Sequence, residues 1–267
     1  MGGLLYKWGV RMAQSVDVSL TTIKARIGSV HLTLAAILGQ SLPPARVILH
    51  VSAEPHLLDD GIGDLPADLL ALQHSDPRLE VRYVANTGPY RKILPWLTAN
   101  RGSGRLVATA DDDTIYPADW LARLVASRAA VGGVAAWTAH PIALKRGRVA
   151  SYGKWFRPVD GTYSPMLMLP IGKDGVLYAE SDFPDDVLDV ETALRLAPTG
   201  DDLWLRWHLA RRGVPVTVVG QGQALPETKG GPSLWRAYNR AGGNDTVVAA
   251  LEDHFRATYG FTMASLS

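Results

Sequence analysis

Two groups of adjacent aspartates are the residues best suited to chemistry. Asp111–Asp113 directly follow a short apolar run, and Asp201 and Asp202 follow a Pro-Thr-Gly turn. Three neighbouring carboxylates repel each other, and a bound divalent cation removes that cost because hard cations prefer oxygen ligands. A carboxylate near a reacting hydroxyl can act as a general base. The sequence therefore predicts a metal and nucleotide-diphosphate site at the first group and a candidate base at the second.

Each group also has a purely structural interpretation. Three aspartates after a strand can form a solvated turn that caps the next helix, and two in the first turn of a helix are ordinary partners of its dipole. On an extended segment Asp111 and Asp113 point the same way, so one can reach a metal while the other holds a ribose hydroxyl. Lys92 can meet a phosphate as a point charge or be a solvated helix lysine.

The elements that must position these residues alternate between strand and helix in the first half of the chain. This alternation predicts an α/β fold with a mostly parallel sheet and crossover helices. Ligands bind such sheets at the carboxyl ends of the strands, so Thr21-Thr22, the turn at 86–90 and the Asp triplet should converge. The predicted strands are Val16–Leu20, Arg46–Ser52, Leu79–Val84 and Arg105–Ala110, and the predicted helices cover 30–38, 67–73 and 90–100.

The second half carries weaker signals. Tyr152 and Trp155 can stack on a sugar ring or a base, or can pack in the core. Gly172 would let the backbone pass close to a ligand. The predicted elements here are a strand over Val134–His140, a glycine turn entering a strand over Gly172–Tyr178, an amphipathic helix over Pro198–Arg212, a strand over Val214–Gly220, and terminal helices over Ser233–Ala241 and Thr246–Thr258.

Composition excludes several classes of protein. The 267 residues are 47% hydrophobic, which suits one large domain or one domain plus a small appendage. The net charge of +1 gives no strong field to recruit nucleic acid. Cysteine is absent, which excludes disulfides and cysteine metal sites. No apolar run reaches the ~18–20 residues of a membrane helix. We expect a cytoplasmic protein, with peripheral association at the inner membrane face as the alternative.

Five stretches in this order resemble a bacterial GT-A glycosyltransferase, close to glycosyltransferase family 2 and its capsular or exopolysaccharide relatives. The resemblance covers about residues 16–250 and depends on VDVSLTTIKARI, ILGQSLPPARVILHVS, TADDDTIYPADW, GKDGVLY and APTGDDLWLRWHLARRG. It implies the GT-A fold, with a mostly parallel central sheet flanked by helices. It also implies one domain over 1–267, with a nucleotide-binding half at about 16–130 and an acceptor-binding half with C-terminal helices at about 131–258.

The activity that the resemblance implies is sugar transfer in polysaccharide biosynthesis. The donor would be a UDP- or GDP-sugar, the acceptor a hydroxyl of a glycan or a lipid-linked molecule, and the cofactor Mn²⁺ or Mg²⁺. The DxD motif of the family maps to Asp111–Asp113. Asp113 would bind the metal, and Asp111 and Asp112 would approach the ribose or the donor sugar, with Asp111 as a second candidate metal ligand.

The resemblance also implies roles for other site residues. Asp201 or Asp202, opening a later helix, would be the general base of an inverting enzyme. A mobile loop would exclude water, and residues 221–232 are the candidate for it. The remaining nucleotide contacts would be Thr21 and Thr22 at the nucleobase edge, Tyr90 and Lys92 in a nucleotide-side segment, and Lys229 or Asn239 at the diphosphate.

Three other functions stay open. A phosphatase of the haloacid-dehalogenase type would use Asp111, Asp113, Lys173 and the later acidic pair, but its motif normally ends the first strand and here two strand-helix units precede it. A nucleotidyltransferase that makes sugar nucleotides would want a glycine-rich phosphate loop, and Thr21–Arg26 has no glycine. A non-catalytic nucleotide-sugar binding module would keep the fold without the chemistry.

Overall fold

Strands and helices alternate through the first half of the chain, as predicted. The computed structural model describes residues 15–156, 163–220, 224–227, 232–240 and 242–267. The elements of the first half are β1 (Val16–Thr21), α1 (Val30–Leu38), β2 (Arg46–Val51), α2 (Ala67–Ser75), β3 (Leu79–Tyr83), α3 (Leu94–Ala99), β4 (Leu106–Ala110) and α4 (Trp120–Val131).

The helix predicted over residues 90–100 is split. A 3₁₀ turn covers Gly88–Lys92, and α3 starts afresh at Leu94. Pro95 explains the break, because proline has no N–H to donate and is tolerated in the first turn of a helix but not in its interior. The break places Lys92 at the end of the 3₁₀ turn.

The second half is less regular. Its elements are β5 (Val134–Ala136), β6 (Ala139–Pro141), β7 (Leu144–Lys145), β8 (Arg148–Val149), β9 (Met168–Pro170), β10 (Val176–Ala179), α5 (Val190–Leu196), α6 (Asp201–Arg211), β11 (Val216–Val218) and α7 (Gly243–Tyr259). The single strand predicted over 134–140 is wrong, since β5 and β6 belong to different sheets. The helix predicted over 233–241 is only a π-helical turn, Trp235–Asn239.

Seven strands form the central sheet, in the order β11-β5-β10-β4-β1-β2-β3. β1 pairs in parallel with β2 and β4, β2 with β3, and β5 with β11. Among the strands that the structure describes in this sheet, β10 alone is antiparallel to its neighbours, β4 and β5. The sheet is therefore mostly parallel, and the predicted α/β class is confirmed. Two small antiparallel pairs, β6-β9 and β7-β8, lie outside it.

A hydrophobic core covers each face of the sheet. Val47 and Leu49 of β2 belong to one core, which α1 and α4 complete, and Ile48 belongs to the other, with α3, α6 and α7. This alternation is the two-residue period of a strand. The sheet is buried on both faces, as expected for parallel strands covered by helices.

The helix α6 differs from the amphipathic helix predicted for this segment. Nine of its eleven residues are buried, including Arg206, which is 0% exposed. The Arg206 guanidinium donates to the carbonyl oxygens of Val214 at 3.0 Å and Met166 at 2.5 Å. Backbone acceptors therefore allow the charged side chain of Arg206 to be buried inside this helix layer. The charged residues of α6 made it resemble an amphipathic helix, although it lies in the core.

The described helices are all short compared with a bilayer. α7, the longest among them, has 17 residues. No helix in the described part of the chain is long and apolar enough to span a membrane.

Candidate functional site

The side chains of the three aspartates after β4 have different surroundings. Asp111 is paired with Lys92, Asp112 is buried against Thr22 and Arg26, and Asp113 lines the large cavity at this edge of the sheet. Consecutive residues leaving a strand diverge because successive side chains point to opposite sides. The three side chains therefore have different contacts, although the charges of Asp111 and Asp112 still act on Asp113.

Asp112 connects the segments around the site through hydrogen bonds. It is 2% exposed, and it accepts hydrogen bonds from Thr22 Oγ1 at 2.5 Å and from Arg26 Nε at 2.8 Å. Its backbone oxygen accepts from Thr33 Oγ1 at 3.0 Å. Arg26 in turn donates to the carbonyl oxygen of Pro232 at 2.7 Å. Asp112 thus joins the ends of β1 and β4 and, through Arg26, the segment at 232–240.

Lys92 lies at the centre of the acidic residues. Its Nζ is 2.5 Å from Asp111 Oδ1 and 3.6 Å from Asp201 Oδ2. Burial lowers the pKa of Lys92, but the charges of Asp111, Asp201 and Asp202 outweigh it and raise the pKa well above its usual value. The backbone oxygen of Lys92 accepts from Ser19 Oγ at 2.6 Å, which holds the turn against β1. The ammonium group is therefore a fixed internal cation.

Lys92 changes the electrostatics of the triplet unevenly. Burial raises the pKa of Asp111, but the charge and hydrogen bond of Lys92 outweigh it and keep the pKa below its ordinary value. For Asp113, burial and the neighbouring charges of Asp111 and Asp112 raise the pKa to about 6, although Arg26 lowers it. The protein therefore stabilises the charge of Asp111 and opposes that of Asp113.

Asp201 and Asp202 occupy the first turn of α6. Asp202 Oδ2 accepts the backbone N–H of Gly172 at 2.9 Å. Burial, then the charge of Asp201, raises the pKa of Asp202 to about 7, and burial raises that of Asp201. Asp201 Oδ2 is buried and accepts no hydrogen bond from any residue that the structure describes. A carboxylate with a pKa near neutrality is suited to proton transfer.

The backbone N–H of Gly172 can approach the Asp202 carboxylate this closely because glycine has no side chain. A Cβ atom there would lie 2.5 Å from Asp202 Oδ1 and 3.2 Å from Lys92 Nζ. Both distances are shorter than normal contacts, so a side chain would displace the carboxylate. The sequence predicted the glycine turn before β10, and the structure places its backbone N–H against the Asp202 carboxylate.

These groups line one cavity of about 480 Å³. Besides the aspartates and Lys92, its walls carry Arg26 and Lys173. The aromatic side chains in the wall are His140, Tyr152, Phe156 and Trp235. A cavity with a few converging charged groups and perturbed pKa values is the ordinary form of a binding or active site.

A divalent cation fits this site only together with a ligand. Within the described ranges no three His, Asp or Glu side chains come together in a group that could hold a metal ion. Asp113 lines the cavity in strongly negative surroundings, and a cation beside it would relieve the repulsion that raises its pKa. Further ligands would have to be phosphate or water oxygens, as is usual for Mg²⁺.

The other predicted contacts are distributed over three environments. Thr21 and Thr22 line a smaller hollow of about 90 Å³ next to the main cavity. Asn239 lines the main cavity and pairs with Thr199, whose Oγ1 donates to it at 2.6 Å. Tyr90 is 0% exposed and its hydroxyl donates to the carbonyl oxygen of Ala197 at 2.6 Å, so it lies in the core and not in the cavity wall.

Two predictions fall partly or wholly outside the described residues. Lys229 is one of them, and the candidate loop 221–232 is described only at 224–227 and 232. The described part contacts the site: Glu227 forms a β-bridge with Thr114, and Lys173 Nζ lies 3.2 Å from Glu227 Oε1.

Sequence reasoning missed several residues of the site. Arg26 belongs to no recognised motif. The sequence feature that could have indicated it is a basic residue five positions after the end of β1. Phe156 and Asn244 also line the cavity. Their segments carry no recognisable spacing, so only the three-dimensional packing brings them to the site.

Comparison with known proteins identifies the fold. No protein-family model matches the sequence, and no curated protein matches it significantly. The structure of S. aureus TarS 1–349 in complex with UDP-GlcNAc is similar, with a TM-score of 0.54, 13% identity, and coverage of 91% of this chain and 74% of that chain. Its complex with UDP gives a TM-score of 0.52 at 14% identity, covering 91% and 73%.

A third similar structure is a 4-diphosphocytidyl-2C-methyl-D-erythritol synthase. Its TM-score is 0.47 at 15% identity, with 80% of this chain and 93% of that chain covered. The TarS similarities, with the seven-stranded mostly parallel sheet, confirm the predicted fold. The chain has a GT-A-like fold, that of nucleotide-diphospho-sugar transferases.

Proposed function

We propose that this protein is a glycosyltransferase that moves a sugar from a UDP- or GDP-sugar to a hydroxyl acceptor. One observation carries the proposal: Lys92, Asp111 and the Asp201-Asp202 pair come from three separate segments and meet in one cavity at the carboxyl edge of the sheet. The TarS structures support the donor class, because that protein was crystallised with UDP and UDP-GlcNAc.

Asp202 is the general base of the proposed reaction. It is half-buried, it lines the cavity, and the Gly172 N–H fixes one of its oxygens. The acceptor oxygen attacks the anomeric carbon, and the bond from that carbon to the diphosphate oxygen breaks. The electron pair leaves with the nucleoside diphosphate, and the hydroxyl proton passes to Asp202, with inversion at the anomeric carbon.

Asp201 and Lys92 position the base. Asp201 Oδ2 lies 3.6 Å from Lys92 Nζ, and Lys92 is also held by Asp111. The ammonium group therefore balances part of the negative charge that the base and the donor bring together. Without it, the carboxylates of α6 and the phosphates would repel each other in a poorly solvated cavity.

Asp113, with Asp111 as the second candidate, would hold Mn²⁺ or Mg²⁺. Such a cation supplies charge neutralisation on the departing diphosphate. Arg26 and Lys173 line the same cavity and offer positive charge to the phosphates from the protein itself. Thr21 and Thr22, at the smaller hollow, would meet the nucleobase.

A donor-hydrolysis and binding assay tests the proposal. UDP-GlcNAc, UDP-glucose and GDP-mannose are each supplied with and without Mn²⁺, and nucleotide affinity and release of nucleoside diphosphate are measured. Asp202→Asn should keep nucleotide binding and lower turnover by at least ~100-fold, since general bases contribute ~10²–10⁴-fold. Asp113→Ala should lose the dependence of binding on Mn²⁺.

The exposed carboxylate Asp119 provides a matched control, because it lies outside the cavity lining. Asp119→Ala should bind and turn over like the unmodified protein. Unchanged Mn²⁺-dependent binding in Asp113→Ala would refute the metal assignment. Nucleotide binding without turnover of any donor would favour a binding module, and phosphate release from simple monoesters a phosphatase.

The biological setting remains part of the proposal. A glycan or lipid-linked acceptor and a role in polysaccharide biosynthesis follow from the sequence resemblance. Peripheral contact with a membrane would bring a lipid-linked acceptor to the cavity.

A further inference from the structure

The strand β3 is the last strand at one side of the central sheet. Among the described strands, β2 alone pairs with it. Arg78 and Val84, directly before and after β3, share backbone hydrogen bonds with β2. Because the backbone groups of a strand face alternate sides, those of Leu79, Val81 and Tyr83 then face away from β2. No described residue hydrogen-bonds the outward backbone groups of Val81 and Tyr83.

Two side chains of opposite charge lie along this strand. Glu80 and Arg82 are on the same face, and Arg82 Nε donates to Glu80 Oε2 at 3.0 Å. Both remain partly open to solvent, with Arg82 35% exposed and Glu80 34% exposed. Charged side chains on an edge strand usually prevent pairing with another chain. Here the two charges are placed symmetrically about Val81, so a second copy running antiparallel would bring each Arg82 opposite a Glu80.

One antiparallel register satisfies both the backbone and the charges. With Val81 opposite the second copy's Val81, Tyr83 lies opposite Leu79, and these pairs use the outward backbone groups. Glu80 and Arg82 then meet between the hydrogen-bonded pairs, where side chains of opposite strands come closest. Sliding one strand by two residues would instead place like charges opposite each other, which is unfavourable. The charge pattern therefore selects a two-fold symmetric, self-complementary pairing.

Apolar side chains at this side of the sheet are incompletely covered. The helix α2, which precedes β3 and packs on it, has one buried residue, Leu69, while Leu70 is 49% exposed. Tyr83 is also 49% exposed, and its hydroxyl donates to the carbonyl oxygen of Gly63 at 2.5 Å. Burial of such surface favours association. The net charge of +1 gives little repulsion between two copies.

We propose that a second copy of this chain pairs with the outer side of β3 and forms a two-fold symmetric dimer. The pairing joins the two central sheets through antiparallel β3 strands, with reciprocal ion pairs between Glu80 and Arg82. Because the two sheets then run in opposite directions, their carboxyl ends, and with them the two cavities, lie at opposite ends of the dimer. The proposal goes beyond the proposed function and does not depend on it.

Sedimentation velocity over a wide range of protein concentrations tests the dimer. Glu80→Arg and Arg82→Glu should each weaken self-association at least ~10-fold, since either change puts like charges opposite each other. An equimolar mixture of these two variants should dimerise again, because every arginine of one copy then meets a glutamate of the other. Arg256→Glu is the matched control, since Arg256 forms an exposed pair with Asp253 on α7 and should leave self-association unchanged.

A backbone variant tests the strand pairing separately. Val81→Pro removes an outward N–H but no hydrogen bond to β2, and proline is tolerated on edge strands, so the variant should fold and stay monomeric. Unmodified protein that is monomeric at every concentration would overturn the proposal. So would a dimer that persists in Glu80→Arg and Arg82→Glu, or a mixture of these variants that stays monomeric. Donor binding and turnover, measured in the same samples, test the proposed function separately.

Discussion

Asp17 lies at the amino ends of the strands of the central sheet, and Asp202 lies at the carboxyl ends. The protein shifts the pKa values of these two carboxyl groups in opposite directions. Asp17, near the start of β1, is 0% exposed and accepts hydrogen bonds from Arg46, Arg105 and Trp96. Burial raises the pKa of Asp17, but these donors outweigh it and hold the pKa below its ordinary value. At the other edge, the pKa of Asp202 is raised to about 7.

The pKa values of Asp17 and Asp202 shift in opposite directions because the neighbouring elements place different charged residues beside them. Arg46 begins β2 and Arg105 precedes β4, so parallel pairing places two guanidinium groups next to Asp17 at the amino ends. At the carboxyl ends, β4 and α6 bring aspartates together around the ammonium of Lys92. At the amino ends, the buried carboxylate of Asp17 is fully paired with donors. At the carboxyl ends, negative charge remains, and a substrate can interact with it.

Removing the fully paired carboxylate should have the largest effect on stability. Asp17→Ala leaves Arg46, Arg105 and the Trp96 N–H without their acceptor, and should lower the free energy of unfolding by about 3 kcal/mol. Urea unfolding measures it. Asp253→Ala is the control, since Asp253 forms an exposed pair with Arg256 and should cost under about 0.5 kcal/mol. Similar losses for both variants would contradict the comparison.

Crowding Asp202, the proposed base, should affect turnover more than stability. In Gly172→Ala the added Cβ would lie 2.5 Å from Asp202 Oδ1 and displace it. A shift of about 1 Å at a reacting group can cost roughly 100-fold in rate, so kcat of the proposed transfer should fall by about that factor. Gly63→Ala is the control, because nothing lies within 4 Å of a Cβ there. Normal turnover of Gly172→Ala would show that Asp202 is not the base.

The smallest predicted effect is a pH-dependent gain in stability. The pKa of Asp202 rises from 3.8 to about 7 on folding. The carboxyl group therefore favours folding when protonated, and this contribution is lost as the pH rises through 7. Asp202→Asn removes the charge and should raise Tm by about 3 °C at pH 8 and less at pH 5. Asp17 has the opposite sign, because its contribution is lost as the pH falls below 3.8.

Differential scanning calorimetry at the two pH values measures this gain. Asp253→Asn serves as the control and should change Tm equally little at both. A Tm gain for Asp202→Asn that is larger at pH 5 than at pH 8 would reverse the assigned direction of the pKa change.

The sequence predicts the fold of the first half well because its strands are short, apolar and regularly separated by helices. Convergence of Thr22, Lys92 and the Asp triplet follows from parallel pairing, which places carboxyl ends together. The acidic pair predicted in the first turn of α6 also lies in the cavity. These inferences depend on local periodicity and topology, which one sequence can show.

The partner of each side chain could not be predicted in this way. Asp112 and Asp111 are neighbours, yet one is paired with Arg26 and the other with Lys92. Tyr90 precedes Lys92 by two residues and points into the core. The reversed direction of β10 and the burial of α6 depend on long-range packing, which no local pattern specifies.

The reversed strand β10 has a consequence for how the molecule folds. Pairing between β1 and β2 joins residues 29 apart, such as Asp17 and Arg46, whereas β4 meets β10 through Thr109 and Val176, 67 apart, and meets β1 through Leu106 and Val16, 90 apart. Larger loops cost more entropy to close and slow the formation of a topology. We expect β1, β2 and β3 to pair early, and β4, β10 and α6 to dock later. The mutually repelling aspartates would then meet only on a scaffold that already holds Lys92 in place.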